Sequence, residues 1–208
     1  MILQILICLA FGYLFGCFST GYFVGKLNKV DIRKYGSGNT GTTNALRTMG
    51  TKAGALVLLG DMLKAVIPIL LVRYLIYPHL DYVQLLTLYV GLGVVLGHNY
   101  PVWLKFKGGK GIAATGGVMA AFDPMIIPFA LPLFVIVVAI TRYVSVGSLL
   151  VAVIFPIWIL IRYPGDLHML IVGIIFMALA FIKHRSNIKR LMNGTENKLG
   201  QRVKIDKQ

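Results

Sequence analysis

The sequence opens with an uncharged stretch at residues 1–25, MILQILICLAFGYLFGCFSTGYFVG, and has a second at residues 82–104, YVQLLTLYVGLGVVLGHNYPVWL. Each is longer than the ~20 predominantly apolar residues that a helix needs to cross ~30 Å of hydrocarbon. Backbone N–H and C=O groups in lipid need hydrogen-bond partners within the protein, which only helices and closed barrels provide, and the sequence lacks the ten-residue alternation of barrel strands. We therefore predict an all-α integral membrane protein.

The composition supports the same fold class over the whole chain. The 208 residues are 57% hydrophobic with a mean hydropathy of +0.78, more apolar surface than one soluble core can bury. No basic residue precedes the first segment and Lys26 and Lys29 follow it, so it is not a typical signal peptide. We expect a single polytopic domain over residues 1–208 that retains this helix.

Five more apolar segments, at residues 53–77, 111–122, 125–141, 143–161 and 167–182, bring the predicted bundle to seven transmembrane helices. The segment 111–122 is short for a full crossing. With seven crossings, 18 of the 21 Lys and Arg residues lie on one side, only Arg73 and Arg162 lie on the other, and Lys64 lies within a span. The positive-inside rule then predicts that the N-terminus is outside and the C-terminus is cytoplasmic. The cytoplasmic segments are residues 26–52, 97–111 and 183–208.

The first polar motif is residues 35–47, YGSGNTGTTNALR. Its G-x-G-x-x-G pattern does not indicate a dinucleotide fold, because it follows a membrane span rather than a strand. Closely spaced glycines can turn backbone N–H groups toward an anion, Ser37 and Thr43 can donate hydroxyls, and Arg47 matches phosphate oxygens. A turn that only caps the next helix is the open alternative.

The second motif is residues 97–111, GHNYPVWLKFKGGKG. It is not a Walker A sequence, because Gly111 rather than Ser or Thr follows Lys110. Lys110 and the amides of Gly108, Gly109 and Gly111 precede a predicted helix, whose N-terminus carries roughly half a positive charge. This loop is therefore predicted to bind an anion.

The third motif is residues 184–196, HRSNIKRLMNGTE. If the last helix continues past the membrane, His184, Asn187 and Arg190 share one face, whereas a freely solvated tail is the alternative. Glu196 is the only glutamate of the chain, and we predict that it holds loops together as an ion-pair partner.

Two further features lie close to these motifs. Asp61 and Lys64 stand one helical turn apart inside a span, where charge is costly, and we favour a structural ion pair. The net charge of +14 fits cytoplasmic loops that attract anionic lipid headgroups, and we predict no nucleic-acid partner.

In order and spacing the three motifs resemble those of the PlsY family of bacterial acyl-phosphate:glycerol-3-phosphate acyltransferases. The resemblance implies transfer of a fatty acyl group from acyl phosphate to the 1-hydroxyl of glycerol 3-phosphate, forming lysophosphatidic acid and phosphate in phospholipid biosynthesis. It also implies a bacterial inner-membrane enzyme with a cytoplasmic active site, no metal and no cofactor. Hand-over of acyl phosphate from the enzyme that makes it stays open.

The site residues implied by the resemblance and by the motif chemistry fall into three groups. The expected catalytic residues are Ser37, Arg47, His184 and Asn187. The expected substrate-binding residues are Asn39, Thr43, Asn44, His98, Lys107, Gly108, Gly109, Lys110, Gly111, Arg142 and Ser145. The expected structural residues are Glu196, Asp61 and Lys64. Whether His184 acts as a base or as a phosphate ligand is left open, and without a G-x-S-x-G elbow no covalent triad is expected.

The alternative from another class is a transporter of an organic anion. Transporters of this kind usually place their sites near the bilayer midplane between repeated halves. The polar motifs of this chain are instead predicted to lie on one side of the membrane, and its halves show no repeat.

Overall fold

The computed structural model describes residues 1–201, and all regular secondary structure in that range is helical. The α-helices are α1 (Ile2–Cys17), α2 (Thr20–Leu27), α3 (Thr42–Met49), α4 (Thr51–Leu71), α5 (Val83–Asn99), α6 (Ile112–Phe122), α7 (Ile127–Thr141), α8 (Val144–Arg162) and α9 (Leu167–Met192). A π-helical turn, Val72–Ile76, follows α4. The predicted all-α fold is confirmed.

Six stretches of the described chain are long and apolar enough to cross a membrane. They are Ile2–Leu27, Thr51–Ile76, Val83–Leu104, Pro124–Thr141, Val144–Arg162 and Leu167–Met192. The protein is therefore a multi-pass membrane protein. Helix α6 has only 11 residues, about 16 Å at 1.5 Å per residue, which is shorter than the ~30 Å hydrocarbon core. The count of seven crossings and the orientation of the termini stay predictions.

The first compact unit contains Met1–Val118, and its most extensive helix packing is between α1 and α5. A Cβ added at Gly93 would overlap the backbone of α1, and one added at Gly97 would lie 2.7 Å from the Cys17 nitrogen. Small residues allow helix backbones to approach closely in lipid, where no hydrophobic effect drives association. The Tyr13 hydroxyl donates a hydrogen bond of 2.9 Å to the Tyr100 carbonyl. This contact fixes the end of α5, where the second motif lies.

The first apolar segment is one continuous helix in the prediction, but the structure breaks it between α1 and α2. Ser19 has extended backbone angles, with φ −97° and ψ 93°. The interruption exposes the Phe18 carbonyl, which accepts a hydrogen bond of 2.9 Å from Lys64 Nζ. The Thr20 hydroxyl donates to Asp61 Oδ1 at 3.1 Å. Side chains of α4 thus form the hydrogen bonds that the backbone and side chains at the break need. The apolar pattern of the first segment alone does not reveal this tertiary contact.

The second compact unit is Met119–Leu199 and is built from α7, α8 and α9. The buried Asp123 carboxylate accepts hydrogen bonds from Trp158 Nε1 at 2.9 Å and from the Tyr163 hydroxyl at 3.2 Å, and so links the start of α7 to the end of α8. The last helix continues past the apolar segment 167–182 to Met192, as the helical interpretation of the third motif requires. Hydropathy indicates where a helix leaves the lipid. The helix itself can extend beyond that point, because its backbone hydrogen bonds do not depend on apolar side chains.

Candidate active site

The first glycine loop, residues 35–41, is folded around one buried amide. Gly36 and Gly38 have φ of +62° and +66°, a left-handed conformation that favours glycine. The Asn44 side chain donates to the carbonyls of three residues and accepts a 3.0 Å hydrogen bond from the Ser37 nitrogen. The accepting carbonyls belong to Ile32, Tyr35 and Asn39, at 3.1, 3.1 and 2.8 Å.

The polar side chains of this motif therefore divide between loop structure and surface. Asn44 uses its carboxamide on the loop, and Asn39 Oδ1 accepts from the Gly41 nitrogen at 2.8 Å. Ser37 is exposed, while Thr43 and Arg47 are half-buried and stand one turn apart on α3. Two residues predicted to bind substrate thus shape the loop, and whether they also bind substrate stays a prediction.

The second glycine loop, residues 105–111, folds back onto the end of α5. The Gly109 nitrogen donates to the His98 carbonyl at 3.0 Å and the Gly108 nitrogen to the Asn99 carbonyl at 3.3 Å. A Cβ at Gly108 would overlap the His98 carbonyl, and a Cβ at Gly109 would overlap His98 Nε2. Gly111 has φ +85° and leads directly into α6. Positions 108, 109 and 111 of this loop therefore favour glycine.

The basic residues of the second loop differ in exposure. Lys107 is exposed and Lys110 is half-buried beside the first turn of α6. A helix N-terminus preceded by glycines and a lysine is a favourable place for a phosphate group. The N–H groups of Gly108 and Gly109, which the sequence assigns to the anion, instead donate to backbone carbonyls of α5. The groups that suit an anion here are therefore the lysines and the first turn of α6.

A buried charged cluster lies next to this loop and consists of Asp61, Lys64 and His98. Lys64 Nζ is 2.8 Å from Asp61 Oδ1 and 2.7 Å from His98 Nδ1. All three residues are buried, and His98 Nδ1 lies 3.6 Å from Asp61 Oδ1. The ion pair of Asp61 and Lys64 thus includes His98, which sequence reasoning grouped with the substrate-binding residues. Thr20, which donates to Asp61, carried no signal in the sequence.

The second unit contains its own polar cluster around Glu196. Glu196 Oε1 accepts from Asn187 Nδ2 at 2.6 Å and from the Ser145 hydroxyl at 2.9 Å, and Oε2 accepts from Arg190 Nε at 2.8 Å. Burial alone raises the pKa of Glu196, but these hydrogen bonds and the Arg190 charge outweigh it and hold the pKa below its ordinary value. Glu196 therefore joins α8, α9 and the following tail.

The residues after α9 are folded back toward α8 as far as Leu199. The Leu199 nitrogen donates to the Arg142 carbonyl at 2.7 Å, and the Arg142 guanidinium donates to the Leu199 carbonyl at 3.0 Å. A freely solvated tail, the alternative in the sequence analysis, does not describe this segment. Residues 202–208, the last part of the predicted cytoplasmic segment 183–208, lie outside the described residues.

His184 is buried in α9, and its Nδ1 lies 2.7 Å from the Ala180 carbonyl. A carbonyl oxygen only accepts, so Nδ1 carries the proton and Nε2 is the acceptor nitrogen of the neutral ring. Asn187 and Arg190 follow on the same helix at spacings of three, as predicted. The catalytic roles of His184 and Asn187 stay predictions.

Metal-binding clusters were sought among the His, Cys, Asp and Glu residues of positions 1–201, and no group of three or more stands close enough to hold an ion. The described residues of the first unit form two glycine loops, one around Asn44 and one on the buried charged cluster, and those of the second unit form the Glu196 cluster. The class of protein so defined is a polytopic helical membrane protein with glycine loops that suit phosphate groups.

Comparison with known proteins identifies the family. The model of the glycerol-3-phosphate acyltransferase family matches residues 6–194. A glycerol-3-phosphate acyltransferase of Thermoanaerobacter pseudethanolicus is 44% identical over 93% of this chain and 94% of its own length. The Bacillus subtilis relative of the same name is 40% identical over 96% of this chain and 98% of its own length.

A solved structure is similar over the same range. The crystal structure of PlsY, an integral membrane glycerol 3-phosphate acyltransferase, in its glycerol 3-phosphate form is 36% identical over 94% of this chain and 96% of that chain, with a TM-score of 0.85. Its lysophosphatidic acid form is 36% identical with a TM-score of 0.82, covering 95% of this chain and 96% of that chain. The chain belongs to the glycerol-3-phosphate acyltransferase family, and it is of the PlsY type.

Proposed function

We propose that the protein transfers a fatty acyl group from acyl phosphate to the 1-hydroxyl of glycerol 3-phosphate and releases lysophosphatidic acid and phosphate. The observation that carries this proposal is the pair of forms of the solved relative, one with glycerol 3-phosphate and one with lysophosphatidic acid. These two molecules differ by one acyl group on a hydroxyl, so they are the acceptor and the product of a single acyl transfer.

The reaction needs little chemistry from the protein when the donor is acyl phosphate. The hydroxyl oxygen of glycerol 3-phosphate attacks the acyl carbonyl carbon and forms the ester bond. The bond between that carbon and the phosphate oxygen breaks, phosphate leaves with the electron pair, and the hydroxyl proton passes to a base or to a phosphate oxygen. Catalysis then consists mainly of placing the two substrates and stabilising negative charge.

The first loop supplies groups suited to the donor. Arg47 carries a guanidinium that can pair with two oxygens of a phosphate, and Ser37 is exposed on the glycine loop. We assign both to stabilising the departing phosphate, with Thr43 as a further hydroxyl donor. The sequence contains no nucleophile elbow, which favours direct transfer from an activated donor over an acyl-enzyme.

The second loop supplies groups suited to the acceptor. Lys107 and Lys110 precede the N-terminus of α6, and we assign this loop to the phosphate of glycerol 3-phosphate. Four residues expected to bind substrate have side-chain partners within the protein, and we assign them to shaping the loops: Asn39, Asn44, Arg142 and Ser145. His184 and Asn187 keep the catalytic roles that the family resemblance implies, with Nε2 of His184 as the nitrogen able to accept a proton.

We also propose that the chain crosses a bacterial inner membrane seven times with its reactive face toward the cytoplasm. The distribution of 18 of 21 basic residues on one side supports this orientation. Acyl phosphate would reach this face from the enzyme that makes it. The short α6 would then occupy part of the membrane thickness.

The donor is tested with purified protein in detergent, with glycerol 3-phosphate as the acceptor. Acyl phosphate, acyl-CoA and acyl carrier protein of one chain length are supplied separately, and lysophosphatidic acid is measured by mass spectrometry. We expect product with acyl phosphate together with one equivalent of released phosphate. Faster turnover with either thioester would refute the proposed donor and leave the family assignment intact.

A further inference from the structure

We propose that Asp61, Lys64 and His98 form a positioning relay that sets the location of Gly109 in the second glycine loop. The inference rests on the proposed function in one respect, the assignment of that loop to the phosphate of glycerol 3-phosphate. In this relay Asp61 orients Lys64, Lys64 orients the His98 ring, and the ring supports the loop. The residues contact one another rather than the reacting atoms.

The geometry of Lys64 is the first evidence for the relay. An ammonium has three N–H donors, and Lys64 Nζ lies 2.8 Å from Asp61 Oδ1, 2.9 Å from the Phe18 carbonyl and 2.7 Å from His98 Nδ1. All three donors are therefore used, in three directions. The side chain is 5% exposed, so water competes little for these contacts.

The state of His98 follows from this contact. Because Lys64 donates to Nδ1, that nitrogen accepts, and the proton of the neutral ring is on Nε2. Nε2 lies where the side chain of residue 109 would begin, since a Cβ added at Gly109 would overlap it. The imidazole thus occupies the space that a larger residue at 109 would need, and it lies directly against the loop that also carries Lys110.

The backbone of the loop is joined to the same residue. The Gly109 nitrogen donates to the His98 carbonyl at 3.0 Å, so one residue of α5 holds Gly109 through both its ring and its main chain. A rotation of the ring would displace the loop directly. A buried ion pair with a histidine is a costly way to hold a helix bundle together, since apolar residues of similar volume are often as stable. A requirement for exact ring orientation explains its presence.

The link between His98 and Gly109 is tested by a double-mutant cycle of His98→Ala and Gly109→Ala. In the otherwise unchanged protein the added methyl collides with the ring, so Gly109→Ala should raise the KM for glycerol 3-phosphate about tenfold or more, with a smaller effect on kcat. With His98→Ala the collision is absent, and the further effect of Gly109→Ala should fall below about threefold. Gly116→Ala is the matched control, because nothing lies within 4 Å of a Cβ at that position.

The link from Lys64 to His98 is tested with two neutral pairs, Asp61→Asn with Lys64→Met and Asp61→Asn with Lys64→Gln. Both remove the two buried charges, but only glutamine has an N–H that can donate toward His98 Nδ1. We expect the methionine pair to raise the KM for glycerol 3-phosphate about tenfold. The glutamine pair should have a KM closer to that of the unchanged protein. Melting temperature and elution profile are measured for each variant. If the three residues only stabilise the fold, these properties should change while the two pairs have the same KM.

Calorimetric titration of glycerol 3-phosphate without any acyl donor separates this inference from the proposed reaction. Non-additive effects in the cycle, with a weaker dissociation constant in the methionine pair than in the glutamine pair, support the relay. Additive effects of His98→Ala and Gly109→Ala, or equal constants in the two pairs, overturn it while the proposed function stands. Failure of the unchanged protein to bind glycerol 3-phosphate overturns both.

Discussion

Replacing Glu196 with glutamine keeps the shape of the side chain and removes one hydrogen-bond acceptor and the charge. In the native cluster Oε1 accepts from Asn187 and Ser145, and Oε2 accepts from Arg190. A glutamine oxygen can take only one of these two places. Its NH₂ group then faces either the Arg190 guanidinium or the Asn187 NH₂ group, donor against donor.

The magnitude follows from the number of bonds lost. At least one charge-assisted hydrogen bond disappears, which costs about 1.5–3 kcal/mol in the free energy of unfolding. Arg190 is 31% exposed and can recover some hydration, so the lower half of this range is expected. A loss of 1 kcal/mol lowers the melting temperature by about 2–4 °C for a domain of this size. Ser145→Ala should cost less than Glu196→Gln, because Oε1 keeps its hydrogen bond from Asn187 and the carboxylate keeps its charge.

The pH dependence gives a second measurement of the same cluster. The pKa of Glu196 is lowered from its ordinary value of 4.5 by the hydrogen bonds described above. Its contribution to stability is therefore complete above the unfolded-state pKa and is lost as the pH falls through the lower folded-state pKa. The difference in melting temperature between the native protein and Glu196→Gln should be largest near neutral pH and should shrink as the pH falls below 4.5. Equal melting temperatures at pH 7 would refute the reasoning.

Three further predictions concern the site, the packing and the topology. Arg47→Ala should lower kcat about 10²- to 10³-fold at saturating substrate concentrations, because it removes a donor to developing negative charge. A near-normal kcat would show that the first glycine loop is only a structural turn. Gly97→Val should reduce the yield of monodisperse protein, because its side chain would enter the α1 backbone, whereas Gly116→Ala should not. Cysteines at Asn193 and His79 should react with an impermeant reagent from opposite sides of sealed vesicles, and reaction of both from one side would contradict the predicted topology.

The membrane helices could be predicted because their signal is local. Long uncharged runs identify spans without reference to any other part of the chain, and the first and third stretches were located within a few residues. The break at Ser19 could not be predicted in this way. It is stabilised by Thr20 with Asp61, 41 residues away, and by Phe18 with Lys64, 46 residues away, and neither pairing leaves a trace in hydropathy.

The site motifs could be located from their residue types, but the use of each side chain could not. Asn44 has the chemistry of a phosphate ligand, yet four backbone groups occupy its carboxamide. His98 likewise combines a position next to a glycine loop with burial against Lys64. Sequence specifies which donors and acceptors are available, whereas the folded chain decides whether they serve the protein or a ligand.

The three contacts of Lys64 bear on which residues can replace it. An ammonium is tetrahedral and reaches a carboxylate, a carbonyl and an imidazole that lie in different directions from one nitrogen. The donors of arginine lie in a plane, and its head group is larger. Arginine at position 64 would keep the positive charge but could not reach all three partners without moving α4 against α5, so this position selects for shape as strictly as for charge.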